Sequence, residues 1–302
     1  MKPSWIVSLV AASTGCIQAC DGTWRELARM PSMRQEISTA VLDGKLFVIA
    51  GFDSSGVSTD TVEVYDPDTD TWSRRAPLPL PTNHNAAAVA GGRLYAFAGT
   101  SKRVFAYDPV QDTWSDVAPM NFTHGDTPAV AVIDGLIYVA GGSGGVGVEV
   151  EVYDPVQDQW TVLASLNVPR NHTAAGAIDG KFYVVGGRPG GVAASALEVY
   201  DPQSNRWTLL SPMPTGRSGI AAGVVKNKLY VFGGEDPRLF GEVEMYDPVS
   251  DRWQRLAPMR TPRHGIFAAV IGNAIYIPGG AIAQGFGATD TNEAYVIPED
   301  CP

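Results

Sequence analysis

The chain of 302 residues contains 33 Gly and 22 Pro, and this share of helix-breaking residues excludes a helical bundle and favours strands and turns. Hydrophobic residues make up 45% of the chain and charged residues 18%, which excludes global disorder. The formal net charge is −10 and the basic residues are scattered. We therefore expect no nucleic-acid partner, because such a surface needs a dense basic stripe.

The first segment in chain order has the composition of an export signal. Lys2 is followed by an apolar run over residues 5–12 and then by small residues, a stretch too short to span a bilayer. We expect residues 1–19 to be a signal peptide or lipoprotein leader of a protein exported to the periplasm, the cell surface or the extracellular space. Cys20 follows a loose lipobox and Cys16 a poorer one, so either is a candidate lipid tether. A disordered leader on a cytosolic protein is the alternative.

A repeated unit occupies the rest of the chain. Tyr-Asp-Pro recurs five times, each time with a Trp seven residues after the Tyr, and an apolar run ending in glycine recurs six times. The tyrosines are Tyr65, Tyr107, Tyr153, Tyr200 and Tyr246, and the glycine-ended runs are 48–51, 96–99, 139–142, 184–187, 231–234 and 277–280. These marks predict six units.

Each unit is predicted to form four short antiparallel strands, a to d. In the fourth unit, strand a covers 173–178, the Asp179-Gly180 turn leads to strand b at 181–185, strand c covers 196–200, and strand d surrounds Trp207. Six such units predict an all-β, six-bladed β-propeller over residues 20–302. The blades are expected at about 34–76, 82–118, 125–164, 170–211, 217–257 and 263–297 plus 22–28.

The glycine pair after strand b, the Tyr before the c–d turn and the Trp in strand d resemble the kelch repeat. The resemblance extends from about residue 22 to 299, with Ala50 and Ala98 in place of the first glycine of blades 1 and 2. It implies a kelch propeller whose ligands bind the face that carries the b–c and d–a connections. Kelch-containing copper oxidases need a Tyr-Cys pair inside the propeller. All three cysteines of this chain are terminal, which argues against such an oxidase.

The two ends of the chain are predicted to share the last blade. Trp24 has no strands a to c before it, and Tyr295 has no Trp after it, so the N-terminal strand should complete blade 6. The repeat spacing then places Cys20 and Cys301 three positions apart in a c–d turn. This separation suits a disulfide in an exported protein, whereas lipidation of Cys20 would exclude it.

Two repeat positions supply the candidate site. The first, thirteen residues before the strand-b aromatic, holds Arg34, Thr82, Gly125, Arg170, Arg217 and Arg263. The second, two residues later, holds Glu36, His84, Thr127, His172, Gly219 and Gly265. All four histidines fall close to these positions, so we expect them in a ring around the channel entrance. The ligand-binding candidates are His84, His172, Arg34, Arg170, Arg188, Arg217, Arg263, Lys102 and Ser143.

These residues favour a non-catalytic, monomeric binding module for a protein or a small carboxylate or sugar ligand. No cofactor is expected, and no metal, because His84 and His172 lie two blades apart without an acidic ligand pattern. One alternative is a sialic-acid-type mutarotase, an activity of some exported bacterial kelch proteins, with Glu36 and His172 as the acid–base pair. An intracellular adaptor is a further alternative.

Overall fold

A two-residue turn in the left-handed conformation closes the first hairpin of a blade. In the computed structural model, which describes residues 21–143 and 146–301, Asp43 and Gly44 have φ values of 50° and 71°. Asp179 and Gly180 repeat this geometry with 48° and 70°. Positive φ at both positions gives the type I′ turn, whose twist matches that of the flanking strands.

Six four-stranded antiparallel sheets follow around the ring, each with its strands in the order a, b, c, d. Strands a to d are Ser38–Leu42, Lys45–Ile49, Val62–Asp66 and Thr71–Arg75 in blade 1; Ala86–Ala90, Arg93–Phe97, Val104–Asp108 and Thr113–Val117 in blade 2; and Ala129–Ile133, Leu136–Ala140, Val150–Asp154 and Gln159–Val162 in blade 3.

The second half of the ring repeats the pattern. Strands a to d are Ala174–Ile178, Lys181–Val185, Leu197–Asp201 and Arg206–Leu209 in blade 4; Ala221–Val225, Lys228–Phe232, Val243–Asp247 and Arg252–Leu256 in blade 5; and Ala269–Ile271, Ala274–Pro278, Asn292–Val296 and Thr23–Glu26 in blade 6. A short hairpin (Arg34–Gln35 with Phe52–Asp53) and a 3-10 turn (Pro189–Gly191) lie in the connections.

Blade 6 confirms the predicted closure by the N-terminal strand. Trp24 lies opposite Tyr295, as Trp72 lies opposite Tyr65 in blade 1. The ring centroids are 5.0 Å apart in the first pair and 5.1 Å in the second. The closing strand therefore reproduces the cross-strand contact of a continuous blade.

The apolar core consists of layers between neighbouring blades. Phe47 of blade 1 packs against Tyr107 of blade 2 with ring centroids 5.7 Å apart, and six such clusters follow one another around the ring. Strand a of each blade faces the central channel with small side chains such as Ala87, Ala175 and Ala222. The aromatic residues of the repeat thus hold blade to blade.

The c–d turn of each blade grips the preceding blade. In blade 3 the Asp158 carboxylate accepts hydrogen bonds from the Tyr153 hydroxyl at 2.7 Å and from the Ala118 N–H at 2.8 Å. Trp160 Nε1 donates to the carbonyl oxygen of the same Ala118 at 2.9 Å. The residues in the place of Asp158 are Asp70, Asp112, Asn205 and Asp251 in blades 1, 2, 4 and 5. The Tyr, Asp and Trp of the repeat therefore form one inter-blade clasp.

Several expectations fall on the N-terminal segment. Residues 1–19, with Cys16, and also Cys20 lie outside the described residues. Within the described part of the chain, no helix is long and apolar enough to cross a membrane. Cys301 is buried against the layer between blades 5 and 6.

Candidate functional site at the channel mouth

The second repeat position forms a closed belt of backbone hydrogen bonds around one end of the channel, which we call the mouth. In each bond the N–H of the first residue donates to the carbonyl oxygen of the second. The bonds are Glu36 to Gly265 (2.9 Å), Gly265 to Gly219 (2.9 Å), Gly219 to His172 (3.0 Å), His172 to Asp126 (2.7 Å), Thr127 to His84 (3.2 Å) and His84 to Glu36 (3.0 Å). The six residues at this position have φ between 47° and 63°. This left-handed geometry brings residues from six blades together.

Three belt side chains form a cluster over the channel. The carboxylate of Glu36 and the imidazoles of His84 and His172 each offer one atom within 4.8 Å of the others. Oε2 of Glu36 lies 3.5 Å from Nε2 of His84, and the two imidazole rings are 5.0 Å apart. The structure therefore places together three residues from blades 1, 2 and 4. Gly265 leaves room for this carboxylate, since an added Cβ would lie 2.5 Å from Glu36 Oε1.

An asparagine precedes each of the two clustered histidines and orients its ring. Nδ1 of His172 donates to Oδ1 of Asn171 at 2.8 Å, and Nδ1 of His84 bonds to Oδ1 of Asn83 in the same way. Because an amide oxygen only accepts, Nδ1 carries the hydrogen in both rings and Nε2 faces the cluster.

Arg188 at the start of the blade 4 b–c loop engages this cluster. Its Nη2 donates to Nε2 of His172 at 2.7 Å, and its Nη1 donates to Glu235 at 3.3 Å. Burial, followed by the charge of Arg188 and the neighbouring His84 and His264, lowers the pKa of His172 from 6.5 to about 2. His172 is therefore neutral and uses both ring nitrogens in hydrogen bonds.

A second acidic group joins the mouth from blade 5. Glu235 accepts a hydrogen bond from the Gly285 N–H at 3.0 Å and lies 3.5 Å from Nδ1 of His264. Nε2 of His264 donates to the Ala283 carbonyl oxygen at 2.9 Å. Glu235 and His264 thus hold the blade 6 b–c loop over the mouth. The cluster at the mouth therefore contains two buried carboxylates, Glu36 and Glu235, beside the guanidinium of Arg188.

An aromatic strip leads away from the mouth across blades 1 and 6. Phe52 lies edge-on to His84 with centroids 5.5 Å apart, and Phe286 follows at 5.8 Å from Phe52. The side chain of Phe286 rests on Gly56, where an added Cβ would lie 2.9 Å from its ring. Phe286 and Val57 remain 46% and 59% exposed, respectively. An apolar surface therefore adjoins the polar mouth.

The four arginines of the first repeat position lie inside the blades. Each guanidinium is fully buried and pairs with the strand-c glutamate two residues before the repeat tyrosine. The pairs are Arg34–Glu63, Arg170–Glu198, Arg217–Glu244 and Arg263–Glu293. Arg263 also donates to the carbonyl oxygens of residues 277, 279 and 291 at 3.0, 2.7 and 3.2 Å. The structure thus places these candidates in buried pairs inside the blades.

Blades 2 and 3 depart from the arginine pattern. In blade 3 His124, one residue before the predicted position, bonds to Glu151 at 3.1 Å and to the Gly141 carbonyl oxygen at 2.6 Å. The expected ring of four histidines at the entrance is therefore wrong for His124, because the Glu151 carboxylate holds it inside its blade. Blade 2 has Thr82 and the apolar Phe105 at the two positions, both buried.

The remaining candidates lie further out on the same face. Ser143 lines a shallow pocket with Asn171 and Arg188 between blades 3 and 4. Lys102 is exposed in the short b–c loop of blade 2 and donates to the Asn121 carbonyl oxygen at 2.6 Å. The structure brings Ser143, but not Lys102, close to Arg188.

Sequence reasoning missed two features of this face. The strand-c glutamates recur two residues before the repeat tyrosine in five units, and that spacing was a visible signal for the buried pairs. The contact of Phe52 with His84 and Phe286 joins residues from blades 1, 2 and 6. No spacing along the chain reports such a contact between loops of different blades.

Comparison with known families and structures agrees with this architecture. Residues 129–280 match the KLHDC2/KLHL20/DRC7 Kelch-repeats domain, and residues 33–79 and 81–121 match the Kelch motif. The structure titled "Structure of YjhT" superposes with a TM-score of 0.80 at 17% identity and covers 91% of this chain and 97% of that chain. This likeness shows the fold.

Curated relatives match over shorter stretches. Beta-scruin of Limulus polyphemus is 34% identical over 80 residues, which are 26% of this chain and 9% of that protein. Kelch-like protein 35 of Mus musculus is 28% identical over 120 residues, which are 40% of this chain and 21% of that protein. The matches thus span less than a quarter of these relatives. At a coarse level, the kelch propeller supports a binding module. The chain belongs to the kelch-repeat family and folds as a six-bladed kelch propeller.

Proposed function

We propose that the protein is a non-catalytic interaction module that holds a segment of a protein partner on the face around the mouth. The observation that carries this proposal is the continuous surface from the exposed Phe286 through Phe52 to the mouth, with the exposed Val57 in the same blade 1 loop as Phe52. Contiguous exposed apolar side chains mark interaction sites, and aromatic residues with a neighbouring arginine are typical binding anchors.

Arg188 supplies the polar contact in this proposal. Its side chain is 28% exposed, whereas the clustered Glu36 and His172 behind it are almost fully buried. A carboxylate of the partner, from an acidic side chain or a chain terminus, is the group that a guanidinium binds best. A small sugar acid offers the same carboxylate without the apolar contact to Phe286.

The state of His172 supports binding over catalysis. A general acid or base works best with a pKa near the operating pH and with a ring nitrogen free to meet the substrate. The low pKa of His172 and its hydrogen bonds to Asn171 and Arg188 satisfy neither condition.

Selection from a phage-displayed random peptide library against the purified protein tests this proposal. We expect peptides that combine an aromatic or aliphatic residue with a carboxylate, and we expect Arg188→Ala and Phe286→Ala each to weaken them at least tenfold. Arg103→Ala and Val156→Ala are the matched controls, because Arg103 pairs with Asp116 and Val156 lies in a c–d turn on the opposite face.

Three results would contradict the proposal. They are the failure to select any peptide, selected peptides that bind the Arg188 and Phe286 variants unchanged, and equal losses in the two controls. Binding of N-acetylneuraminic acid that depends on Arg188 but not on Phe286 would assign the face to a small sugar acid instead.

A second candidate function is mutarotation of a sugar acid, favoured by the proximity of Glu36 and His172. In that reaction an acid and a base exchange protons with the sugar ring. Anomerically pure sialic acid supplies the assay, with Glu36→Gln as the inactive comparison and Arg103→Ala as the control. Rates equal to those in buffer alone would end this reading.

Export of the protein is a proposal that rests on residues 1–19. Lys2 and the apolar run support a signal peptide, and Cys16 or Cys20 would carry the lipid if the leader were that of a lipoprotein. Mass spectrometry of the mature N-terminus, after fractionation of expressing cells, distinguishes an uncleaved leader from a cleaved or acylated one.

A further inference from the structure

The cluster at the mouth has the donor set of a transition-metal site. Glu36, His84 and His172 each present one ligand atom, and these atoms lie within 4.8 Å of one another although the residues come from three blades. Two imidazole nitrogens and one carboxylate oxygen form the combination that holds zinc or ferrous iron with open positions in many proteins. From the sequence, no metal site was expected because His84 and His172 lie two blades apart. The belt nevertheless brings these residues close together.

The partners behind the histidines match those of metal ligands. A histidine that binds a metal through one ring nitrogen usually donates the other N–H to a fixed oxygen, which sets the tautomer and the ring orientation. Asn83 and Asn171 perform this role through their Oδ1 atoms. The Nε2 atoms of both histidines are thereby directed toward the cluster.

The Glu36 carboxylate lies between two histidine nitrogens. Oε2 of Glu36 is 3.5 Å from Nε2 of His84, and Oε1 is 3.8 Å from Nδ1 of His264. That Nδ1 atom is buried and has no hydrogen-bond partner among the described residues. The hydroxyl of Thr127 donates to Oε2 at 3.4 Å. A cation bound among these atoms would interact favourably with the carboxylate.

Arg188 occupies the direction from which an ion would approach His172. Its Nη2 lies 2.7 Å from Nε2 of His172, so that electron pair is already used. The arginine side chain is partly exposed and makes its second contact with Glu235 at 3.3 Å, so it can turn outward toward solvent.

We propose that a divalent transition-metal ion of the zinc class binds Glu36, His84 and His172 at the mouth and displaces Arg188 from His172. The imidazole donors favour this class over magnesium or calcium, which prefer oxygen ligands. This site goes beyond the peptide-binding proposal, because it needs no partner protein.

Titration of the chelator-treated full chain with Zn²⁺ by calorimetry, and with Co²⁺ by visible absorption, tests the site. We expect one saturable equivalent and d–d bands of nitrogen-ligated cobalt. His84→Gln and His172→Gln should each weaken binding at least tenfold, because each removes one ligand. Arg188→Gln should strengthen it about tenfold, because it removes the competing cation. Asp126→Asn is the matched control, because only the backbone of Asp126 takes part in the belt. It lowers negative charge without removing a ligand and should change the affinity less than twofold.

A thermal shift guards against misfolded variants. Zn²⁺ should raise the unfolding temperature of the parent chain and of Arg188→Gln, because the metal binds the folded state, and at the same Zn²⁺ concentration it should raise that of the histidine variants less. If the histidine variants do not fold, the gain in Arg188→Gln decides the question, since that variant keeps all three ligands. No saturable binding, unchanged affinity in folded histidine variants, or no gain in Arg188→Gln would each overturn the proposal.

Discussion

A buried arginine in four of the six blades joins strands b and c to the connections at the mouth end of the blade. In blade 6 the guanidinium of Arg263 neutralises Glu293 and satisfies three backbone carbonyl groups. Desolvation lowers the pKa of this arginine to about 10, while Glu293 acts in the opposite direction, so the guanidinium stays charged at neutral pH. We therefore expect removal of Arg263 to lower the free energy of unfolding, because Glu293 would lose its cationic partner.

Arg263→Met should destabilise the fold strongly. The substitution removes the cationic partner of the buried Glu293 carboxylate and one donor from each of three backbone carbonyl oxygens, which costs about 3–5 kcal/mol. Denaturant unfolding of the purified variant measures this loss. The matched control is Arg238→Met, because Arg238 is exposed and its pair with Glu242 should contribute less than about 1 kcal/mol. Equal losses in the two variants would contradict the structural role of the buried pair.

The inter-blade clasp supplies a second test at the residue scale. Blade 4 has Asn205 where the other clasps have Asp, and its Oδ1 accepts the same two hydrogen bonds, at 2.8 Å from Tyr200 and 2.9 Å from Ala164. Asp158→Asn should therefore change the unfolding free energy little at neutral pH. Asp158→Ala loses both acceptor contacts and should cost about 1–3 kcal/mol.

The contribution of the Asp158 charge to stability should be detectable at acid pH. Hydrogen bonds from Tyr153 and from the Ala118 N–H lower the pKa of Asp158 below 3.8. A carboxyl whose pKa is depressed by folding stabilises the native state above its unfolded value and loses that contribution as the pH falls through its folded value. Because Asn does not titrate, the parent should lose stability relative to Asp158→Asn as the pH falls below about 4. A pH-independent difference would contradict the assignment.

At the scale of elements, the b–c loops differ most between blades. The blade 6 loop is fixed from blade 1 by Gln35, whose Nε2 donates to the Gly285 carbonyl oxygen at 2.9 Å and whose Oε1 accepts from the Gly287 N–H at 2.9 Å. This amide therefore sets where Phe286 lies relative to Phe52.

Gln35→Ala should loosen this loop and leave the blades intact. We expect faster amide hydrogen exchange across residues 282–287, because two hydrogen bonds to the loop are lost. Exchange across the blade 5 loop, residues 236–241, is the internal control and should not change. Uniform acceleration over all blades would show instead that Gln35 supports the whole fold.

The strands and their turns were predictable because each depends on local spacing. Asp43-Gly44 and Asp179-Gly180 determine hairpin turns by their backbone preferences, and the Tyr-to-Trp step places strands c and d. The cluster of Glu36, His84 and His172 was only partly predictable. Repeat arithmetic places these residues on one ring, but their separation depends on the channel width and on the left-handed backbone of the belt.

At the scale of the whole molecule, the ring depends on one closing contact. Thr23–Glu26 pairs with strand c of blade 6, and Trp24 reaches the Ala257 carbonyl oxygen of blade 5 at 3.4 Å. Cys301 lies buried beside this closure. The predicted Cys20–Cys301 disulfide would reinforce it.

Cys301→Ser tests this prediction. Removing a native disulfide should lower the unfolding free energy by about 2–5 kcal/mol. Reduction with dithiothreitol should bring the parent chain to the level of the variant and leave the variant unchanged. Non-reducing mass spectrometry of the mature protein checks the linkage directly, and an alkylatable thiol at Cys301 would contradict the prediction.

In the belt at the mouth, the backbone supplies the structure and the side chains supply the selectivity for a ligand. Its hydrogen bonds follow one another around a circle, so their dipoles point along the circumference and largely cancel at the channel axis. Side chains therefore determine the electric field at the axis, and each of the six belt positions can carry one. Glu36, His84 and His172 fill three of these places, whereas Thr127, Gly219 and Gly265 present small groups or none. A propeller of this kind can therefore change what it recognises by exchanging belt side chains, while every blade keeps its fold.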